Sequence, residues 1–454
     1  MNPAGGHAQD YQARAGAPAV PAPARRRGRS IDRLGSWLAN WGERLFLAWA
    51  ILNMSGAMLV PRRGLAPDID YSGSSLTDSV FAQVYLILLF LIVLRAGRVT
   101  LAASAHKLTL LLMGVAALSY FWSDAPDVTV RRAIAITATS AFGWYLVARY
   151  EVREILQLFA VVMGFTALLS LFYGVTRPDL AMLPAEGSAW RGVYDNKNVF
   201  ARAMVLSTIL FLLLSIDETR HRKLVWGGAI LSGLLVLRST SATGLLVLGT
   251  LIALWRFSKN LRLRTTILVP LLIGVTLAVA GGVIWLRLHM AAVAEGMGKD
   301  VTMTGRTDLW AVAVDMIAQR PWLGYGFGAF WREGGGAVNF WSAVGWKTPH
   351  SHNGFLDLGL DLGLLGLIVL VAAFASALVA AIRRARAGWT AANVAPLVLL
   401  GFVICYNMTE SSILKYNTVF WLVYVVATAV ACGGGEMRKL RLPPGTSPPV
   451  GETV

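Results

Sequence analysis

Apolar runs of about 20 residues, the length that crosses a hydrocarbon core of roughly 30 Å, follow one another along almost the whole of this 454-residue chain. The composition agrees: 56% of residues are hydrophobic and 15% charged, against about 25% charged in soluble proteins, and the mean hydropathy is +0.58. The expected fold is all-α and polytopic, one membrane domain with no separate soluble domain of ordinary size.

A formal charge of +16 would raise nucleic acid as a partner for a soluble protein. Here the basic residues fall largely in short loops between apolar runs, where they set orientation instead, so no nucleic-acid partner is expected. Cys405 and Cys432 both lie within apolar runs and build neither a disulfide frame nor a metal cluster. Residues 1–30 lack the apolar core of a cleaved signal, and the first apolar run begins near Leu45. Residues 1–43 are therefore expected to be a disordered cytoplasmic segment, with Arg25, Arg26, Arg27 and Arg29 near the anionic membrane surface. Residues 44–433 form the transmembrane domain, and residues 434–454 are expected to be a disordered cytoplasmic tail.

About 12 spans are expected: 44–60, 78–95, 107–122, 132–149, 153–175, 198–216, 223–238, 242–257, 265–286, 354–382, 393–409 and 417–433. With the N-terminus inside, Arg95, Arg98 and Lys107 share one cytoplasmic loop, Arg220, Arg222 and Lys223 a second, and Arg256, Lys259, Arg262 and Arg264 a third. Arg383, Arg384, Arg386, Lys439 and Arg441 also fall inside, so both termini are cytoplasmic by the positive-inside rule. Two outside segments remain, 176–197 and 287–353, each longer than a mere connection needs. Function is expected there.

The larger loop, before the tenth span, is read as partly helical. Thr304 or Thr307 is placed to cap a helix from about 306 to 319, with Leu309, Val312, Met316 and Ile317 at helical spacing and Pro321 beyond its end. This helix is expected to lie against the membrane. Trp310, Trp322, Trp331, Trp341 and Trp346 all belong to this loop, and the plain reading of each is an anchor at headgroup level. Gly324, Gly326, Gly328 and the run Gly334 to Gly336 add turns.

His350 and His352 precede the tenth span in a loop with no cysteine and few nearby carboxylates, a composition that argues against zinc. A neutral imidazole can take a proton from a hydroxyl near working pH; the plain alternative is a hydrogen-bonded boundary residue. Asp357 and Asp361 are spaced i, i+4, but on a helix that includes His352 they would lie roughly 140° and 180° around from it. They read first as acids favoured by the helix dipole, with a contact from Asp361 to substrate or a loop as the alternative. Arg191 and Lys197 in WRGVYDNKN, with Arg306 in the larger loop, put three cations on the outer face. They suit a phosphate, or ordinary lipid headgroups.

GRTDLW, RPWLGYGFGAFW and His352-Asn353 followed by Gly363 and Gly366 resemble the O-antigen ligase family, which includes O-antigen and exopolysaccharide polymerases. The likeness is close over residues 305–366, and VYDNKNVFARA at 193–203 resembles the segment that opens an earlier span in exopolysaccharide-polymerase members. Elsewhere the likeness is in the number and hydropathy of spans. One departure is STSATG at 239–244, where many members carry a Ser-Arg-Gly turn.

The resemblance implies an inverting, metal-independent glycosyltransferase without a cofactor, acting on the periplasmic face of the bacterial inner membrane. Its donor would be an undecaprenyl-diphosphate-linked glycan, and its acceptor a second glycan or lipid A core, with membrane lipids around it. His352 would be the catalytic base, while Arg191, Arg306 and Lys197 would bind the diphosphate and stabilise it as it leaves. His350, Asn353 and Asp361 would support them. Polysaccharide polymerase is the leading expectation, on the DNKN segment, with O-antigen ligase as its alternative. A lipid-linked oligosaccharide transporter is the rival of another class; it would place ionisable groups at midplane in repeated halves. A structural partner in an export complex would tolerate loss of His352 and the arginines.

Overall fold

The computed structural model describes residues 28–57, 75–184, 187–261 and 306–433. Expected features at 1–27, 265–305 and 434–454, including Thr304 and the ninth span, lie outside the described residues. The chain forms two compact units, Met1–Leu47 and Ala48–Val454, and helix α1 (Gly28–Met54) begins in the first. It takes in residues 28–43, expected to be disordered, because Ile31, Leu34, Leu38, Trp41 and Leu45 recur at three- and four-residue spacing.

The second unit is almost wholly helical. It continues with α2 (Ser75–Val93), α3 (Ala96–Ser104), α4 (Lys107–Leu118), α5 (Pro126–Arg149), α6 (Val152–Thr176) and the short α7 (Pro178–Ala181). A two-residue hairpin, β1 (Met182–Leu183) on β2 (Ala189–Trp190), leads to α8 (Lys197–Leu214), α9 (Arg222–Arg238) and α10 (Ala242–Ser258). After α11 (Arg306–Gln319) and α12 (Ala337–Val344) come α13 (Gly354–Ala387), α14 (Ala391–Asn407) and α15 (Val419–Cys432).

The helix starts follow local chemistry. Side chains of Asn196, Ser241, Asn353, Thr390 and Thr418 accept from the first exposed N–H groups of α8, α10, α13, α14 and α15, and a Glu151–Glu154 capping box opens α6. Among the described residues, three helices, α6, α8 and α13, are long and apolar enough to cross a membrane; a fourth span results if Ser79–Val93 and Ala96–Ser104, bent by 99°, are counted as one. The apolar helices Lys107–Trp122, Ala242–Ser258, Ala391–Asn407 and Val419–Cys432 are shorter, roughly 21 to 26 Å at 1.5 Å per residue.

Burial sorts these helices. Every residue of α15 from Val419 to Ala431 is buried, as is most of α8, so both are interior elements. Large apolar side chains on α2, α6 and α13 remain exposed, among them Leu86, Phe90, Val161, Phe172 and Ile368. Faces of that size on a soluble monomer would be a liability; facing lipid they are ordinary.

Helix α13 is broken at Gly363, where φ is 61° and ψ −158°, a region essentially confined to glycine. Four backbone groups at the break are taken up by the chain just after α11. Tyr325 and Gly326 donate to the carbonyls of Leu360 and Asp361 at 2.8 and 2.9 Å, while Leu364 and Leu365 donate to those of Pro321 and Trp322 at 2.7 and 3.1 Å. A Cβ on Gly363 would fall 2.5 Å from the Trp322 carbonyl carbon, and one on Gly324 2.6 Å from the Leu360 oxygen. Irregular backbone at membrane depth survives only where protein satisfies it, and here a loop does so.

Helix α11 has the expected bounds but not the expected surroundings. Leu309 and Ala313 pack with Tyr325, Phe330, Trp331, Phe340, Trp341 and Leu360 into a separate small core. Trp331 and Trp341 are thus buried core residues, not interfacial anchors. Trp310 is half-buried and donates to the Ser351 carbonyl at 3.1 Å, whereas Trp322 and Trp346 are exposed as an anchor would be.

Candidate functional site

Asn353 caps α13, so the helix starts after His352 rather than through it. His352 itself has φ 56°, a left-handed conformation that costs a non-glycine residue on the order of 1–3 kcal/mol and persists only where neighbours impose it. The tight turn lets the His352 N–H donate to Nδ1 of His350 at 3.1 Å, and brings the two rings edge to face with centroids 4.2 Å apart. It also overturns the helical-wheel expectation for Asp357. The chain folds back over α13, and the Asp357 carboxylate accepts from Ser351 N at 2.9 Å and from Trp331 Nε1 at 3.1 Å.

A partner that the sequence did not single out is Glu410, in the loop between α14 and α15. Buried Asn407 shapes that loop by accepting from Ser412 N and Ile413 N at 2.8 and 3.1 Å, and the Glu410 carbonyl accepts from Gly354 N at 3.1 Å. The Glu410 carboxylate then meets three groups. Arg306 Nη2 lies 3.2 Å from Oε1, and His352 Nδ1 lies 3.6 Å from Oε2, an ion-pair distance rather than a hydrogen bond. The charge of Arg202 also bears on it.

Arg202 is 8% exposed, with its guanidinium 4.0 Å above the Phe420 ring and with Nε and Nη1 making no hydrogen bond. Buried N–H groups without acceptors are costly, and an anionic ligand would supply them. Burial favours the neutral form of Glu410, but the His352 imidazole and the Arg202 charge outweigh it and hold the carboxyl down at about 2. Burial, aided by the adjoining His352, pushes the His350 imidazole below its ordinary value.

Of the other expected cations, Arg191 makes its contact away from this cluster. Arg191 follows β2 and its Nε donates to the Leu180 carbonyl at 2.9 Å. Lys197 opens α8, the helix that carries Arg202. Arg238 stacks 4.9 Å above Trp190, beside Arg191. The arginine of the 190–203 segment whose charge bears on Glu410 is thus Arg202. Asp361 is 8% exposed and lines a small polar cavity with Arg132, Asp357, Lys415 and Tyr416.

Glu410 also changes the argument about metals. Ligand atoms of His350, His352 and Glu410 lie within 4.8 Å of one another, a donor set of the kind zinc uses. The neighbourhood fits an anion better. Glu410 already balances Arg306 and Arg202, and His350 Nδ1 already accepts the His352 N–H.

Residues 227–371 match the family model described as O-Antigen ligase. The chain is also 27% identical over 285 residues to the exopolysaccharide production protein ExoQ of Rhizobium meliloti (strain 1021), a match that covers 59% of this chain and 63% of that protein. The chain therefore spans less than two thirds of the relative's length. The matched region includes the broken helix and the His350–Asn353 turn, so the likeness to the O-antigen ligase model falls on the stretch that carries Arg306 and His352.

Proposed function

We propose that this protein is an inner-membrane glycosyltransferase that joins undecaprenyl-diphosphate-linked glycans during exopolysaccharide or O-antigen polymerisation, working at the periplasmic face. The observation that carries this reading is the placement of a half-buried imidazole, His352, against a carboxylate flanked by two arginines, Arg306 and Arg202.

Ionised Glu410 beside Nδ1 favours the tautomer with the proton there, leaving the Nε2 lone pair as the base. His352 takes the proton of an acceptor hydroxyl as that oxygen attacks the anomeric carbon. The bond from that carbon to the diphosphate oxygen breaks, its electron pair leaves with the polyprenyl diphosphate, and the single displacement inverts the anomeric centre. Arg306 and Arg202 compensate the leaving charge, and Arg191 and Lys197 would serve the distal phosphate or a lipid headgroup. His350, neutral, supports the backbone of the turn, and Asn353 caps the helix behind it. No metal step is required.

Transfer to lipid A core, as an O-antigen ligase, is the second reading, favoured by the description of the matching family. The relative's name favours the polymerase. Full-length protein reconstituted with a lipid-linked glycan donor and each acceptor in turn separates them; product on lipid A core alone overturns the polymerase. In the same assay His352→Ala is expected to lower transfer by at least ~100-fold while the protein still inserts. Normal glycan length from that variant would overturn the reading. Chelation with EDTA is expected to leave turnover unchanged, and a loss restored by a divalent cation would favour the His350, His352, Glu410 set as a metal centre instead.

A further inference from the structure

The carboxylate of Asp357 contacts the histidine turn, Trp331 of the larger loop and the loop that carries Glu410. Its Oδ1 accepts from Ser351 N at 2.9 Å and from Trp331 Nε1 at 3.1 Å, and Lys415 Nζ, from the loop that carries Glu410, lies 4.0 Å from its Oδ2. An acid in the first turn of a helix ordinarily sits in solvent and interacts with the dipole. This one is 3% exposed, and its donors come from elsewhere in the chain.

The contacts converge on the strained residue. Ser351 immediately precedes His352, whose φ of 56° has to be imposed by its surroundings. On one side Asp357 holds Ser351 N; on the other, Trp310 Nε1 holds the Ser351 carbonyl at 3.1 Å and the Ser351 hydroxyl donates to the Asn353 carbonyl at 3.0 Å. Trp310 also packs against the aromatic core of the larger loop, and Asp357 joins that core, through Trp331, to the Glu410 loop, through Lys415.

We infer that Asp357 is a positioning residue for the transfer reaction: a buried carboxylate that clamps the His350–His352 turn against the Trp331 core and the Glu410 loop, and so sets where the His352 imidazole points. This rests on the glycosyl-transfer reading above. A base displaced by about 1 Å costs on the order of 100-fold in rate, and binding of the donor through arginines on α8 and α11 does not depend on it. The clamp therefore governs kcat and not the KM for the lipid-linked donor.

The test measures kcat and donor KM for full-length Asp357→Ala, Asp357→Asn, Trp331→Phe and His352→Ala in proteoliposomes. Asp357→Ala is expected to lose about 100-fold in kcat with donor KM within about threefold of the parent. Asp357→Asn keeps an oxygen for both N–H donors and is expected to restore kcat to within about tenfold, and Trp331→Phe, which removes one of the two, to lose less than Asp357→Ala. Wild-type kcat in Asp357→Ala, a raised donor KM, or an Asn variant as slow as Ala would each overturn the clamp. Should Asp357→Ala fail to insert, the Asn variant decides alone: a 100-fold loss there overturns the proposal. His352→Ala is the reference, because activity surviving in that variant removes the transfer reading itself, whereas a silent His352→Ala beside an active Asp357→Ala removes only the clamp.

Discussion

Glu410 shows how one carboxylate organises charges that are far apart in the chain. Burial works against its ionisation, and the His352 imidazole and Arg202 reverse that and hold it down at about 2. A folded-state value below the ordinary 4.5 means that the stabilisation is fully present above pH 4.5 and is lost as pH falls toward 2. Glu410→Gln should therefore cost roughly 3 kcal/mol at pH 7, as breaking a buried pair does, and the gap in thermal stability from the parent should close between pH 5 and pH 2. A gap unchanged across that window would show that Glu410 is not ionised in the folded protein. Between pH 5 and pH 8 Glu410 stays charged. His352 and Arg306 were legible because each sits in a polar stretch next to an apolar run. Arg202 and Glu410 were not singled out, because their meaning depends on meeting across 104 residues in the case of Arg306 and Glu410. A signal existed: ionisable groups set within or between apolar runs, FARAMVL and MTESS, are functional candidates by default.

Among elements, α11 and α13 carry the lesson. The bounds of α11 followed from periodicity and from Pro321, yet its packing did not, because the same apolar stripe suits a membrane surface and the aromatic core it meets. The i, i+4 placement of Asp357 and Asp361 was read on a helix extended through His352. The Asn353 cap and the left-handed His352 ended that helix one residue later and turned Asp357 toward the histidine turn. The break at Gly363 is built into the site, since the strand of chain that fills it continues into Gly328 and Trp331. Gly363→Ala is expected to lose most of its detergent-stable folded protein, given φ 61° and a Cβ 2.5 Å from the Trp322 carbonyl carbon. Gly249→Ala, on α10 with nothing within 4 Å of its Cβ, is expected to fold as well as the parent or slightly better. Size-exclusion recovery and a melting curve compare the two, and equal behaviour would mean that the break is not required.

For the molecule as a whole, orientation is the property that decides whether the site faces the lipid-linked donor. With Cys405 and Cys432 replaced by serine, a cysteine at Glu333 is expected to react with an impermeant maleimide on intact spheroplasts. One at Arg220 should react only after permeabilisation; the reverse pattern would turn the protein over and remove the site from the periplasm. Both positions are exposed, so a failure to label reports sidedness and not burial. What the sequence by itself determined is what depends on near neighbours and on hydropathy: the bounds of helices such as α11, the membrane class and the stretch around His352. Only the tertiary structure decided which buried carboxylate faces the imidazole, which arginine of the 190–203 segment bears on that carboxylate, and that two loop tryptophans form a core. Those outcomes depend on pairing groups distant in the chain, where desolvation makes an unpartnered charge or N–H so costly that packing, and not local preference, selects the partner.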